Sequence, residues 1–204
     1  MTILVTDPEL EVRLIAERRE TGADRRDEVW DGVYQIFPHP DIDHQGILTG
    51  LSTVFMVVLG WKERGEVRIG VGVSDRGHDW AQNYRIPDVA VFLRGTRAQC
   101  RDTHWFGGPD FAVEVLSQGD RAREKFDFYA RVGTRELLLV DRQRWMLELY
   151  RLENGALLPV GVAHADGGQT LASEVLPLAF RLKAGETRPK VEVIHHDGQQ
   201  RWDL

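Results

Sequence analysis

Leu137-Leu138-Leu139-Val140 is apolar at four consecutive positions. Successive side chains of a strand point to opposite faces, so this run reads as a strand buried on both. Two further runs read as strands, Val89-Ala90-Val91-Phe92-Leu93 and Phe111-Ala112-Val113-Glu114-Val115-Leu116. Between the last two runs in sequence, a helix is expected from about Asp120 to Val132, closed by Gly133. A longer amphipathic helix is expected from Asp41 or Asp43, with Ile47, Leu48, Leu51, Val54, Phe55, Val58 and Leu59 on one side and an end at Gly60 or Gly65. The expected class is therefore α/β, a mixed central sheet flanked by helices rather than a series of alternating βαβ units.

The flanking segments add detail. Thr6-Asp7-Pro8 starts a short N-terminal helix with Leu10, Leu14 and Ile15 at helical spacing, ending near Gly22. Val29-Trp30-Asp31-Gly32-Val33-Tyr34 predicts a hairpin about a type I′ turn, stopped by Pro38 and Pro40. Glu66 to Val73 alternates as one strand, and Met146–Tyr150 and Leu178–Leu182 read as peripheral strands. From Ala184 little pattern is left. The expected division is an N-terminal helical extension over 1–24, a domain over 25–183 and a tail over 184–204.

Length and composition bound the function. A chain of 204 residues with 42% hydrophobic and 28% charged residues is enough for one domain with a sizeable core, and its balance argues against wholesale disorder. No apolar run approaches the ~18 residues that cross a bilayer, and the start shows no secretory signal pattern. The single cysteine, Cys100, cannot form an internal disulfide, so a cytoplasmic protein is expected. A formal net charge of −6 argues against coating nucleic acid by bulk electrostatics, while leaving room for one local phosphate site.

Three residues stand out as chemistry. Asp88 follows Pro87 at the head of an apolar strand, and Glu114 interrupts another, on the face shared by Ala112 and Leu116. A buried carboxylate needs a partner; a core salt bridge is the plain explanation for either acid alone. Together on adjacent strands they could converge on one divalent cation. On a helical wheel Lys125 falls within the apolar arc of Ala122, Phe126, Tyr129 and Val132, with snorkelling at the core margin as the alternative. Two carboxylates holding a metal, with a lysine beside the attacking water, form a hydrolytic arrangement for phosphoryl chemistry.

Ile86-Pro87-Asp88-Val89-Ala90-Val91, Phe111 to Ser117, Arg123-Glu124-Lys125 and Tyr129-Ala130-Arg131-Val132-Gly133 resemble the Uma-type restriction endonucleases, a bacterial family of the PD-(D/E)XK nuclease superfamily. Arg135 to Asp141 resembles the family's strand after the helix, Glu28 to Gly32 its N-terminal hairpin, and His44-Gln45 its first core helix. The similarity runs in order over about residues 25–182. It implies a restriction-endonuclease-like core with an N-terminal hairpin and extra C-terminal strands. It also implies a Mg²⁺ or Mn²⁺ site at Asp88, Glu114 and the main-chain carbonyl of Val115. Leu116 stands where the superfamily usually has a lysine, and the resemblance assigns that amine to Lys125. Glu28 could add a carboxylate, and His44 could contact phosphate or metal.

The expected activity is a metal-dependent endonuclease acting on DNA. A nuclease directed at RNA would share the site. The rival from another class is a catalytically inactive module of the same fold, dimeric and serving binding or regulation. Other signals carry less. Gly70-Val71-Gly72 lacks the third glycine of a dinucleotide turn, and neither His195-His196 nor His104 with Cys100 has zinc spacing. Ser117 has no nucleophile elbow around it, the six tryptophans read as packing, and Arg94, Arg97 and Arg101 form a basic stretch that could meet a phosphate backbone but reads better as a solvated loop.

Overall fold

The computed structural model describes residues 3–37, 39–61 and 63–204. The hairpin stop expected at Pro38 therefore lies outside the described residues. The central layer is a six-stranded sheet in the spatial order Ala156–His164, Met146–Glu153, Glu136–Asp141, Phe111–Leu116, Val89–Leu93, Gly65–Ile69. Only Phe111–Leu116 and Glu136–Asp141 run parallel; the other neighbours are antiparallel. Parallel neighbours need a crossover. Here it comprises a 3₁₀ turn, Ala122–Lys125, followed by helix α3, Phe126–Val132. Among the described residues the other two α-helices are α1, Pro8–Thr21, and α2, Ile42–Val58.

Both faces of this sheet are covered, as the apolar runs require. On one face Ile47, Leu51, Phe55 and Val58 of α2 pack with Val89, Val91, Val113, Val115, Leu138 and Val140. On the other, Phe128 and Tyr129 of α3 pack with Ala90, Phe92, Ala112, Leu116, Leu137 and Leu139. Odd and even positions of the same strands thus serve different layers, and Glu114 belongs to the α3 side.

Local signals fix the helix ends. Asp7 caps α1 by accepting the N–H groups of Glu9 and Leu10, and Gly22 closes it in the left-handed region at φ 67°. Asp41 caps α2 through the N–H of His44. Asp31 and Gly32 both take positive φ, as a type I′ turn demands, between strands Glu28–Trp30 and Val33–Ile36.

The hairpin joins a second, seven-stranded sheet that also contains Ile3–Val5, Tyr84–Arg85, Val73–Ser74, Trp105–Phe106 and Gln99–Cys100. This corrects the single strand expected over Glu66–Val73. The chain turns at Gly70, φ 63°, so Gly65–Ile69 stays in the central sheet and Val73–Ser74 enters the other.

The C-terminal segment also departs from expectation. Residues 184–204 are no tail: Lys190–His195 and Arg201–Asp203 pair with Leu178–Lys183 in a third sheet that also holds Leu171–Ala172. Val191 and Val193 are fully buried there, and the Leu204 side chain lies over Gly50 of α2, where an added Cβ would come within 2.8 Å of it. Phe180 meets Phe55 and Phe111 at centroid distances of 6.2 and 5.7 Å, tying this sheet to the α2 face. The edge strand Ala156–His164 had no sequence signal, because Pro159 and Gly161 interrupt it.

Candidate active site

The central sheet opens at one end. Val89–Leu93 pairs with Phe111–Leu116 only as far as Val89↔Val113, whereas the pairing with Glu136–Asp141 continues to Leu116. Asp88 sits at this fork. Its Oδ2 accepts the Val115 N–H at 2.8 Å, replacing the missing ladder bond. A strand residue directs its N–H and C=O to the same neighbour, so the Val115 carbonyl faces the fork too.

Glu114, one residue earlier, points to the α3 face. Its Oε1 accepts the Lys125 ammonium at 2.9 Å and the Tyr129 hydroxyl at 2.5 Å. Lys125 reaches Glu28 Oε1 at the same 2.9 Å. Lys125 is only 3% exposed, resolving the choice left open by the helical wheel in favour of the interior. It lies in the 3₁₀ turn rather than in a regular helix, so the wheel's 100° step does not apply to it. What turns it inward is the pair of glutamates.

Glu28 is held from three sides. Besides Lys125, its Oε1 accepts the Ile86 N–H at 2.8 Å and its Oε2 the Trp30 indole N–H at 2.6 Å. Two guanidinium groups lie over the Trp30 ring, Arg85 at 4.6 Å and Arg121 at 4.9 Å from its centroid. Arg85 is itself buried against Phe128 at 4.3 Å. A carboxylate with this many partners is fixed in place. Glu28 lines the pocket with both of its carboxylate oxygens already engaged.

His44, on the first turn of α2, places Nε2 3.0 Å from Asp88 Oδ1. Burial, with Arg142 and Arg26 nearby, pushes its pKa down to about 4. The neutral ring therefore donates Nε2–H to the carboxylate, which makes it a support for Asp88 in the manner of residues that orient metal ligands. Arg26 approaches the same Oδ1 at 3.7 Å.

Asp88, Glu114, Val115, Lys125, Glu28 and His44 all line one cavity of about 70 Å³. All the residues proposed from sequence thus meet at one place. Tyr129, Trp30, Arg85 and Arg26 were not singled out as site residues. Two of them left a usable trace: Tyr129 follows Lys125 by four positions, and Trp30 follows Glu28 by two on the same strand face.

The donors suit a hard cation. Burial holds both Asp88 and Glu114 above the ordinary carboxylate range; for Asp88 the Val115 N–H works against it, for Glu114 the Lys125 ammonium. Lys125, despite burial, is held above the usual amine range by Glu114 and Glu28. Two buried carboxylates that resist ionisation are short of positive charge, the condition a divalent cation relieves. Among the described residues no three His, Cys, Asp or Glu side chains form a metal-holding group. A cation held here would find a sparse set, two carboxylates and a main-chain oxygen. Mg²⁺ accepts such a set, because it retains waters and takes substrate phosphate oxygens as further ligands.

Comparison with known proteins bears on the family and the fold. The family model Uma2, described as "Putative restriction endonuclease", matches residues 13–185. A similar solved structure is that of a "putative nuclease belonging to DUF820" from Anabaena variabilis ATCC 29413. It has 16% sequence identity and a TM-score of 0.59, over 74% of this chain and 83% of that one. At that identity the likeness concerns the fold. No curated protein matches the chain.

Proposed function

The chain belongs to the Uma2 restriction-endonuclease family, and from that premise we propose that it is a metal-dependent phosphodiesterase that cuts DNA internally. The observation that carries this reading is the buried Lys125 ammonium, 2.9 Å from Glu114, in the cavity that Asp88 also lines.

Asp88, Glu114 and the Val115 carbonyl would hold Mg²⁺ or Mn²⁺. When bound, the cation supplies charge stabilisation at a phosphoryl oxygen and a more acidic water. The chain's own groups do the rest. Lys125 keeps a permanent positive charge next to the reacting phosphate and steadies the charge that grows there in the transition state. Glu28 fixes the amine, Tyr129 fixes Glu114, and His44 fixes Asp88. Burial excludes bulk water, so each of these contacts is stronger than its exposed counterpart.

Purified protein should nick or linearise plasmid DNA with Mg²⁺ or Mn²⁺, and Asp88→Ala and Glu114→Ala should each abolish cutting. Calorimetry should show Mn²⁺ binding that Glu114→Ala removes. Cutting that survives both substitutions, or no Mn²⁺ binding at millimolar metal, would overturn the assignment. The latter result would favour the inactive binding module instead.

A further inference from the structure

Next to the catalytic cavity lies a groove of about 530 Å³, and the two share Arg26 and Phe37 as lining residues. Arg18, Arg25 and His39 complete its polar wall, with Ile36 among its apolar residues. Among the described residues no Asp or Glu lines it. In a chain of net charge −6, an acid-free wall that opens on a nest of carboxylates is a local inversion of charge.

Apart from Arg26 and Phe37, the groove is built by parts of the chain that the catalytic reading left unused: the end of α1, the 22–25 connection and the end of the strand Val33–Ile36. Its cations are held rather than loose. Arg18 forks onto the buried Asp27 and also donates to the Ala23 carbonyl at 2.7 Å. The Arg25 guanidinium lies over Gly22, where an added Cβ would sit 3.6 Å from its Nε. Arg25 itself is exposed, while Arg26 lies behind it against Asp88.

We propose that this groove seats the phosphodiester backbone of the DNA strand flanking the scissile bond, with Arg25 as a direct phosphate contact. The inference rests on the nuclease reading above and extends it to how substrate is held. A strand laid here passes Arg26 and Phe37 before its phosphate reaches Lys125. The acids of the pocket would repel a polyanion, and the cationic wall offsets that repulsion on the approach side. Phosphate contacts of this kind position a substrate without reading its sequence.

The test uses the full-length protein, a fluorescein-labelled DNA duplex and Ca²⁺ in place of Mg²⁺ to hold cleavage back. Anisotropy titrations over a range of salt concentrations compare wild type with Arg25→Ala, Arg25→Glu and, as a control, Arg97→Ala. Arg97 is exposed on a different depression, beside Gly95 and Thr96. Arg25→Ala should weaken binding several-fold and lower the slope of log affinity against log salt by about 0.9. Arg25→Glu should weaken it by roughly tenfold or more, and Arg97→Ala should leave it unchanged. Mn²⁺ binding by calorimetry should stay at the wild-type level in Arg25→Ala, and in cleavage assays KM should rise with kcat held. Wild-type affinity and salt slope in both Arg25 variants would overturn the groove while leaving the nuclease reading intact. Wild-type protein that binds no duplex would sink both.

Discussion

Lys125 keeps its charge where water barely reaches, and two carboxylates 2.9 Å away are the reason. They do different work. Both line the cavity with Asp88, but the bonds to Glu114 fall on Oε1, whereas Glu28 spends both oxygens on Lys125, the Ile86 N–H and Trp30. Glu28→Gln should therefore lower kcat by about 10- to 100-fold while leaving Mn²⁺ affinity near wild type. A matching loss of metal affinity in calorimetry would instead make Glu28 a ligand. A second residue-scale prediction lies away from the site. His104 is buried and stacked on Trp80 at 4.5 Å, and burial, with Arg101 nearby, lowers its pKa. The unfolded chain then binds more protons just below the ordinary histidine pKa, so stability falls as pH drops through that window. His104→Gln should reduce this slope, to which His44 also contributes, in urea melts at pH 5 to 7; an unchanged slope would count against it.

At the scale of elements, the crossover between the two parallel strands decides where Lys125 stands. Its far end is pinned tightly. The Gly108 N–H donates to the Val132 carbonyl at 2.7 Å, and an added Cβ at Gly108 would meet Thr134 N and Val132 Cγ2 at 2.8 Å each. Because one of those atoms is backbone, relief requires moving the end of α3. Gly108→Ala should cost about 1–3 kcal/mol by the usual cost of overpacking, read as a lower midpoint in thermal unfolding. Gly133, which closes α3 at φ 85°, has open space around a Cβ, so Gly133→Ala should cost about 1–2 kcal/mol, from backbone strain alone. If the two substitutions cost the same, the close approach at Gly108 is not what holds the crossover.

At the scale of the whole molecule, the third sheet completes the core on the α2 side. Val191 and Val193 are fully buried, and Leu204 exchanges backbone hydrogen bonds with Val191 at 2.9 and 3.2 Å. Ending the chain after Lys183 would strip two such valines, each contributing about 1.5–3 kcal/mol, and leave Phe180 uncovered. That truncation should lose cooperative unfolding, seen by circular dichroism and dye binding. A truncated chain that melts like wild type would show the segment to be dispensable. No described helix is long and apolar enough to cross a membrane.

Much of this architecture was written into local pattern. The apolar runs at Val89, Phe111 and Leu137 became strands covered on both faces, Asp7 and Gly22 set the ends of α1, and acids inside apolar segments marked the site. These signals are legible because periodicity, caps and lone buried charges act over a few residues. Contacts between distant segments leave no such trace. The fork that joins Asp88 to Val115, the Glu28–Lys125 pair 97 positions apart and the seating of Leu204 over Gly50 arise only once the sheets stack. Sequence chose which side chains had to be buried with partners; packing chose the partners, because only the closed fold brings remote backbone and charge within hydrogen-bond reach.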